Sequence, residues 1–218
     1  MFATTRVRFK ILTMSFVPLR TLSGEFKILG SDFICEIEPL ADANSFKAVY
    51  ESFKKRHPKA DHYPYAYFVS GIGKSSDDGE PGSTAGVPLL SLLQQKEIEG
   101  CVIVARYFGG TKLGTPRLRR AFLSSAEDAL SHGGLGEKKT ILCYDLTLDY
   151  SSFQTVKNNA ERYGYRLENV DYDINVKLNL FCSDSIISPW EKMGFLPDSL
   201  PKPRLVESVE EITNDQSQ

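Results

Sequence analysis

Two segments carry the residue types and spacings that could do chemistry. The first is Ser76-Asp77-Asp78-Gly79-Glu80-Pro81-Gly82-Ser83-Thr84-Ala85-Gly86. Asp77, Asp78 and Glu80 put three carboxylates among glycines and hydroxyls. Hard cations take oxygen ligands of this kind, so a metal-assisted small-molecule hydrolase is one reading. The other is a turn feeding a helix, with the acids solvated or near a helix N-terminus that favours negative charge. Composition favours the turn and cap. The spacing lacks the D-x-D-x-D-G pattern of a calcium loop, and no metal is assigned.

The second segment is Arg106-Tyr107-Phe108-Gly109-Gly110-Thr111-Lys112-Leu113-Gly114-Thr115, followed by Pro116, Arg117, Arg119 and Arg120. Glycines free backbone amides, and a helix start follows, the local design of an anion site. No Lys follows the second glycine of a G-x-x-x-x-G spacing, so this is not a Walker loop. Arginines in the first helical turns oppose the helix dipole, at a few tenths to ~1 kcal/mol each. A bound anion or an acidic partner offsets that cost, and Asp77, Asp78 or Glu80 could be that partner. The expected anion or nucleic-acid contacts are Arg106, Gly109, Gly110, Lys112, Arg117, Arg119 and Arg120; the aromatic pair Tyr107-Phe108 offers rings for base stacking or for the core, with Tyr107 taken as the stacking one.

Little else points to catalysis. The histidines are His57, His62 and His132. Asp61-His62 places an acid beside a base, but sequence neighbours rarely face each other productively. No nucleophile motif accompanies them, so no triad and no catalytic residue is assigned. Cys35, Cys101, Cys143 and Cys182 are widely spaced and sit in or beside apolar runs. They read as buried reduced thiols and not as zinc ligands. No cofactor is expected.

The elements that position these residues follow from periodicity. The chain has 218 residues, 41% hydrophobic and 25% charged, with a net charge of -2. Any anion site is therefore a local patch. No apolar run approaches the ~20 residues that cross a bilayer, and no signal-peptide core is present. A cytoplasmic protein is expected, and one reading of the basic, acid-poor start is that translation begins at Met14. Strands are expected at 26–29 and 33–37, with a helix at 42–56 capped by Asp42 and ended at His57-Pro58. A strand at 65–70 leads into a polar loop, 71–83, then a helix at 87–95 and a buried strand at 101–105. Thr115 as N-cap and Pro116 at the first helical position open a helix that buries Leu118, Ala121, Phe122, Ser125 and Ala129. Gly133 to Lys139 reads as a linker. Beyond it a β-α-β-β-α order runs through 141–148, a helix with a Ser151-x-x-Gln154 capping box stopped at Gly164, strands at 166–172 and 175–181, and a helix at 185–193. A last strand is either missing or lies near Arg204 to Val209. The expected division is an N-terminal extension (1–17), a first domain (18–134), a ferredoxin-like second domain (140–196) and a flexible acidic tail (197–218).

Ser76 to Pro88 and Val104 to Phe122 together resemble the IMPACT/YigZ family. Its patterns run close to Y-S-D-D-G-E-P-S-G-T-A-G-x-P and V-x-R-Y-F-G-G-x-K-L-G-T-G-G-L-x-R-A-Y. His57 to His62, Tyr65-Ala66-Tyr67 and Gly30-Ser31-x-Phe33-Ile34 add to the likeness, which runs from about Leu19 to Gly133. It marks Asp77, Asp78, Gly79, Glu80, Pro81 and Thr84 as the family's motif loop. The resemblance implies an α+β protein of two domains: a sandwich like the second domain of ribosomal protein S-five, then a ferredoxin-like domain. It also implies RNA or the ribosome as partner and a role in modulating translation. The eukaryotic branch adds a partner-binding domain and regulates a stress kinase; that role is not expected of this chain. Two departures stand out. Ser-Gly becomes Gly82-Ser83, and the Gly-Gly after Leu-Gly-Thr becomes Pro116-Arg117. The second reduces close backbone approach to a small ligand and adds charge for an extended polyanion. The rival to a nucleic-acid role, besides the hydrolase, is a protein-interaction module working through the second domain's sheet.

Overall fold

The structure, a computed structural model, describes residues 15–212. The expected start at Met14 and the end of the acidic tail lie outside the described residues. The chain divides into two compact units. The described part of the first is residues 15–138 with 209–212; the second is residues 139–208.

In the first unit, β1 (Ser15–Pro18) is followed by a β-meander, β2 (Leu22–Ile28) and β3 (Ser31–Glu38). Helix α1 (Phe46–Arg56) leads to a hairpin, β4 (Tyr65–Val69) and β5 (Ile72–Ser76). Helix α2 (Gly86–Gln95), strand β6 (Gly100–Tyr107) and helix α3 (Thr115–Ser131) complete it. The sheet order is β2-β3-β6-β4-β5, antiparallel throughout. Alternation along β6 explains its unbroken apolar run, because both sheet faces are covered. Val102 and Val104 join Phe33, Cys35 and Ile37 beneath α2 and α3. Cys101, Ile103 and Ala105 pack with Phe46 and Phe53 of α1 on the other face.

The second unit contains the rest of a long strand, β7 (Leu135–Leu148), then α4 (Tyr150–Tyr163), β8 (Arg166–Tyr172), β9 (Val176–Cys182) and α5 (Ile187–Lys192). β10 (Arg204–Glu211) pairs with β7. The order β10-β7-β9-β8 in space, with β-α-β-β-α-β along the chain, is ferredoxin-like. Leu142, Tyr144 and Leu146 of β7 and Leu178 and Leu180 of β9 pack against Phe153, Val156 and Trp190 from the helices. The chain is thus an α+β protein with two sheets.

Several expectations are corrected. The presumed linker is strand from Leu135 onward, and Ser15, Phe16 and Val17, assigned to an extension, pair with Lys138, Glu137 and Gly136 of β7 in that order. Much of the presumed flexible tail is ordered, since β10 fills an edge of β7 and buries Ser208. The polar loop contains β5, which carries one apolar side chain, Ile72, and so gives no alternating pattern. Ser70 and Gly71 turn its hairpin at φ 50° and 77°, the left-handed values that suit a two-residue connection. Gly114, not Thr115, is the N-cap of α3. Asp149, not Ser151, caps α4, its carboxylate accepting from Ser152 N at 2.9 Å. Asp42 instead turns the chain ahead of α1, its Oδ1 accepting from Asn44 N and Ser45 N.

Candidate functional site

The two chemical segments meet at the end of β6. Arg106 continues the face of Val102 and Val104, which is otherwise apolar. A charge there needs a partner. Its guanidinium Nη1 donates to both oxygens of Glu80, at 2.7 and 2.6 Å. The pair is sealed, with side chains 7% and 2% exposed. Phe33 and Phe108 rings flank the guanidinium at 5.4 and 5.5 Å. The Arg106 Nε is buried with no hydrogen-bond partner. Arg106 is therefore a structural cation and not the phosphate contact expected from its place in the motif.

Tyr107 points the other way, as alternation requires. Its hydroxyl meets His57 Nδ1 at 3.1 Å on the α1 side, so it does not stack over the anion site. Phe108 takes that place and is 47% exposed. Its type and position were visible beside Tyr107, but only strand parity says which ring faces out. Gly109 is also structural. A Cβ there would lie 1.9 Å from the carbonyl carbon of Gly30, so only glycine lets the turns pass. Its N–H donates to Ser31 Oγ at 3.1 Å. Gly110 is open, with φ 82°.

The acidic loop is organised by three separate commitments. Asp77 accepts from the N–H groups of Ser83, Ala85 and Gly86 at 2.8, 2.9 and 2.8 Å, capping α2. Desolvation raises its pKa, but the backbone donors outweigh it and hold the carboxyl below its ordinary value. Asp78 accepts from Tyr63 N at 2.7 Å, and its carbonyl accepts from His62 Nδ1 at 2.8 Å. Glu80 holds Arg106. Pro81 presents its carbonyl to the Thr84 hydroxyl at 2.6 Å, and Gly79 packs against the His62 ring. The carboxylates do not converge, and among the described residues no cluster of three or more His, Cys, Asp or Glu is placed to hold a metal ion.

Beside this network lies a cleft of about 430 Å³ lined by His62, Glu80, Pro81, Arg106, Phe108, Lys112, Leu113, Gly114, Thr115 and Leu118. Asp61 shapes its rim, its carboxylate accepting from Phe108 N at 2.7 Å. The N-terminus of α3 opens onto the cleft without a side-chain cap. Lys112, Arg117, Arg119 and Arg120 are exposed, and no ion pair engages them among the described residues. Helical spacing puts Arg117 and Arg120 on one flank of α3 and Arg119 on the opposite one. Lys112 lines the cleft, whereas Arg117 and Arg120 share a flank of α3 that Arg119 does not.

Fold and site together define an α+β protein whose two sequence motifs build one buried ion-paired network beside a basic rim. Comparison with known proteins agrees. The family model described as the Impact N-terminal domain matches residues 29–130. IMPACT family member YvyE of Bacillus subtilis is 32% identical over 168 residues, 74% of this chain and 77% of that protein. IMPACT family member YigZ of Escherichia coli is 29% identical over 170 residues, 75% of this chain and 83% of that protein. A solved structure of a hypothetical protein, 24% identical, covers 94% of this chain and 100% of its own with a TM-score of 0.58, which shows a common fold. The chain belongs to the IMPACT family. No helix of the described residues is long and apolar enough to cross a membrane.

Proposed function

We propose that this protein binds single-stranded RNA or a ribosomal RNA surface and thereby modulates translation. The observation that carries the reading is the start of α3. There the helix N-terminus has no side-chain cap, and Lys112 just before it and Arg117 and Arg120 in its first turns are exposed with no ion pair among the described residues. Arg106 at the cleft is already ion-paired internally with Glu80 through Nη1. Uncompensated cations at a helix N-terminus are unfavourable for folding alone, and a polyanion removes the penalty. Phe108 adds an exposed ring of the kind on which bases stack. The likeness to a ribosomal-protein fold that the family resemblance implies points to the same class of partner.

Three phosphate contacts on single-stranded RNA give a slope of about -2 for log affinity against log salt. Fluorescence anisotropy with a labelled oligonucleotide at stepped salt measures it. Arg117→Ala with Arg120→Ala should flatten the slope to about -0.7 and weaken binding. Affinity indifferent to salt, or to this pair of substitutions, refutes the reading. Arg119→Ala, on the far flank, should leave the slope almost unchanged.

A further inference from the structure

We infer that Asp61 is a positioning residue for nucleic-acid binding: its carboxylate fixes the main chain of Phe108 and so holds that ring for stacking on a base. The inference rests on the nucleic-acid reading and adds a residue to it. Strand β6 ends at Tyr107. Up to that point the segment after α1 pairs with it. Val104 N donates to the Pro64 carbonyl at 3.0 Å, and Arg106 N to the His62 carbonyl at 3.0 Å. The next donor in this every-second-residue series is Phe108 N. The main-chain series stops there, because the partner segment turns away between His57 and Ala60, where Ala60 N donates to the His57 carbonyl at 3.1 Å. Asp61 Oδ2 accepts from Phe108 N instead, at 2.7 Å.

Asp61 also donates its own N–H to the Arg106 carbonyl at 2.8 Å. One residue therefore grips the chain on both sides of Tyr107. A carboxylate acceptor makes the shorter and stronger kind of hydrogen bond. The ring held in this way is the one that lines the cleft and stands half exposed. It rests against the Arg106 guanidinium at 5.5 Å, and Glu80 fixes Arg106 in turn. A ring whose main chain and neighbour are both fixed loses less freedom when a base stacks on it. Asp61 is exposed and is not one of the residues that line the cleft. Its charge opposes an anionic strand, so its contribution is the acceptor oxygen and not the charge.

Fluorescence anisotropy of the full chain with a labelled oligoadenylate and an abasic ribose-phosphate strand of the same length tests this. The parent should bind the oligoadenylate about tenfold more tightly, and Phe108→Ala should remove most of that difference. Asp61→Ala should weaken oligoadenylate binding by about threefold to tenfold and leave the abasic strand within about twofold, which also shows that the variant is folded. Joined to Phe108→Ala it should add less than about a further twofold, because both act through one ring. Asp61→Asn keeps an acceptor oxygen and loses the charge, so it should bind the oligoadenylate within about twofold of the parent or more tightly. Abasic binding that falls as far as oligoadenylate binding, losses that multiply in the double variant, or an Asp61→Asn as weak as Asp61→Ala each overturn the role of Asp61. Salt-dependent binding that ignores Phe108→Ala removes the ring and Asp61 with it, and leaves the polyanion reading standing. A parent that binds neither strand removes both.

Discussion

Arg106 is a charge on a sheet face otherwise built from Val102, Val104, Phe33 and Cys35. Its tolerance there depends on Glu80. Removing one member of a buried pair leaves the other uncompensated, at about 3–5 kcal/mol, whereas replacing both with apolar groups is often neutral. Glu80→Gln should therefore lower unfolding free energy in urea by about 3 kcal/mol or more, and Glu80→Leu with Arg106→Met should recover most of it. The double-mutant comparison separates a structural pair from a phosphate-binding arginine. At this scale the sequence named both residues and raised the pairing of the two segments. It did not say which acid pairs with which arginine, because 26 positions and a loop with three acids separate them.

At the scale of elements, one carboxylate sets the loop. Asp77 closes Ser83 to Gly86 onto itself and starts α2. Asp77→Ala should cost about 1–2 kcal/mol, as for other N-caps. The pH dependence has a definite sign. The folded-state carboxyl is held below its ordinary value of 3.8, so its stabilisation is complete above that pH. It is lost as pH falls through the folded value. Acid titration of the melting temperature should show a shallower fall below pH 4 for Asp77→Asn than for the parent. Helix α3 was legible in advance: Pro116 and the spacing of Leu118, Ala121, Phe122, Ser125 and Ala129 match the face that is buried. The hairpin strand β5 was not. Its partner β4 supplies the order, and Ile72-Gly73-Lys74-Ser75-Ser76 has no periodicity of its own.

At the scale of the whole molecule, the C-terminal strand matters most. Val206 packs on Ile141, Cys143 and Phe181, and β10 occupies an edge of β7. Truncation after Pro203 uncovers that edge and its apolar side chains. The four cysteines are free and buried, and desolvation raises the thiol pKa of each. The native chain should therefore show no fast-reacting thiol with a disulfide reagent near pH 8, and the truncated chain should expose Cys143 first. Labelling followed by peptide mapping checks both. A truncated chain that keeps all four thiols protected would show that β10 is dispensable.

The sequence by itself determined the family, the α+β class, the helices, and the two motifs that hold the site. Local periodicity, proline placement and unbroken motif spelling carry that information along the chain. Tertiary structure alone decided that Arg106 is spent on Glu80, that Tyr107 faces α1 while Phe108 faces the cleft, and that the acidic end forms β10. Each outcome depends on which sheet face a strand position meets, or on a partner strand distant in sequence. The arginine expected at a phosphate is instead buried against Glu80, and the cations beyond it, at Lys112, Arg117 and Arg120, are exposed.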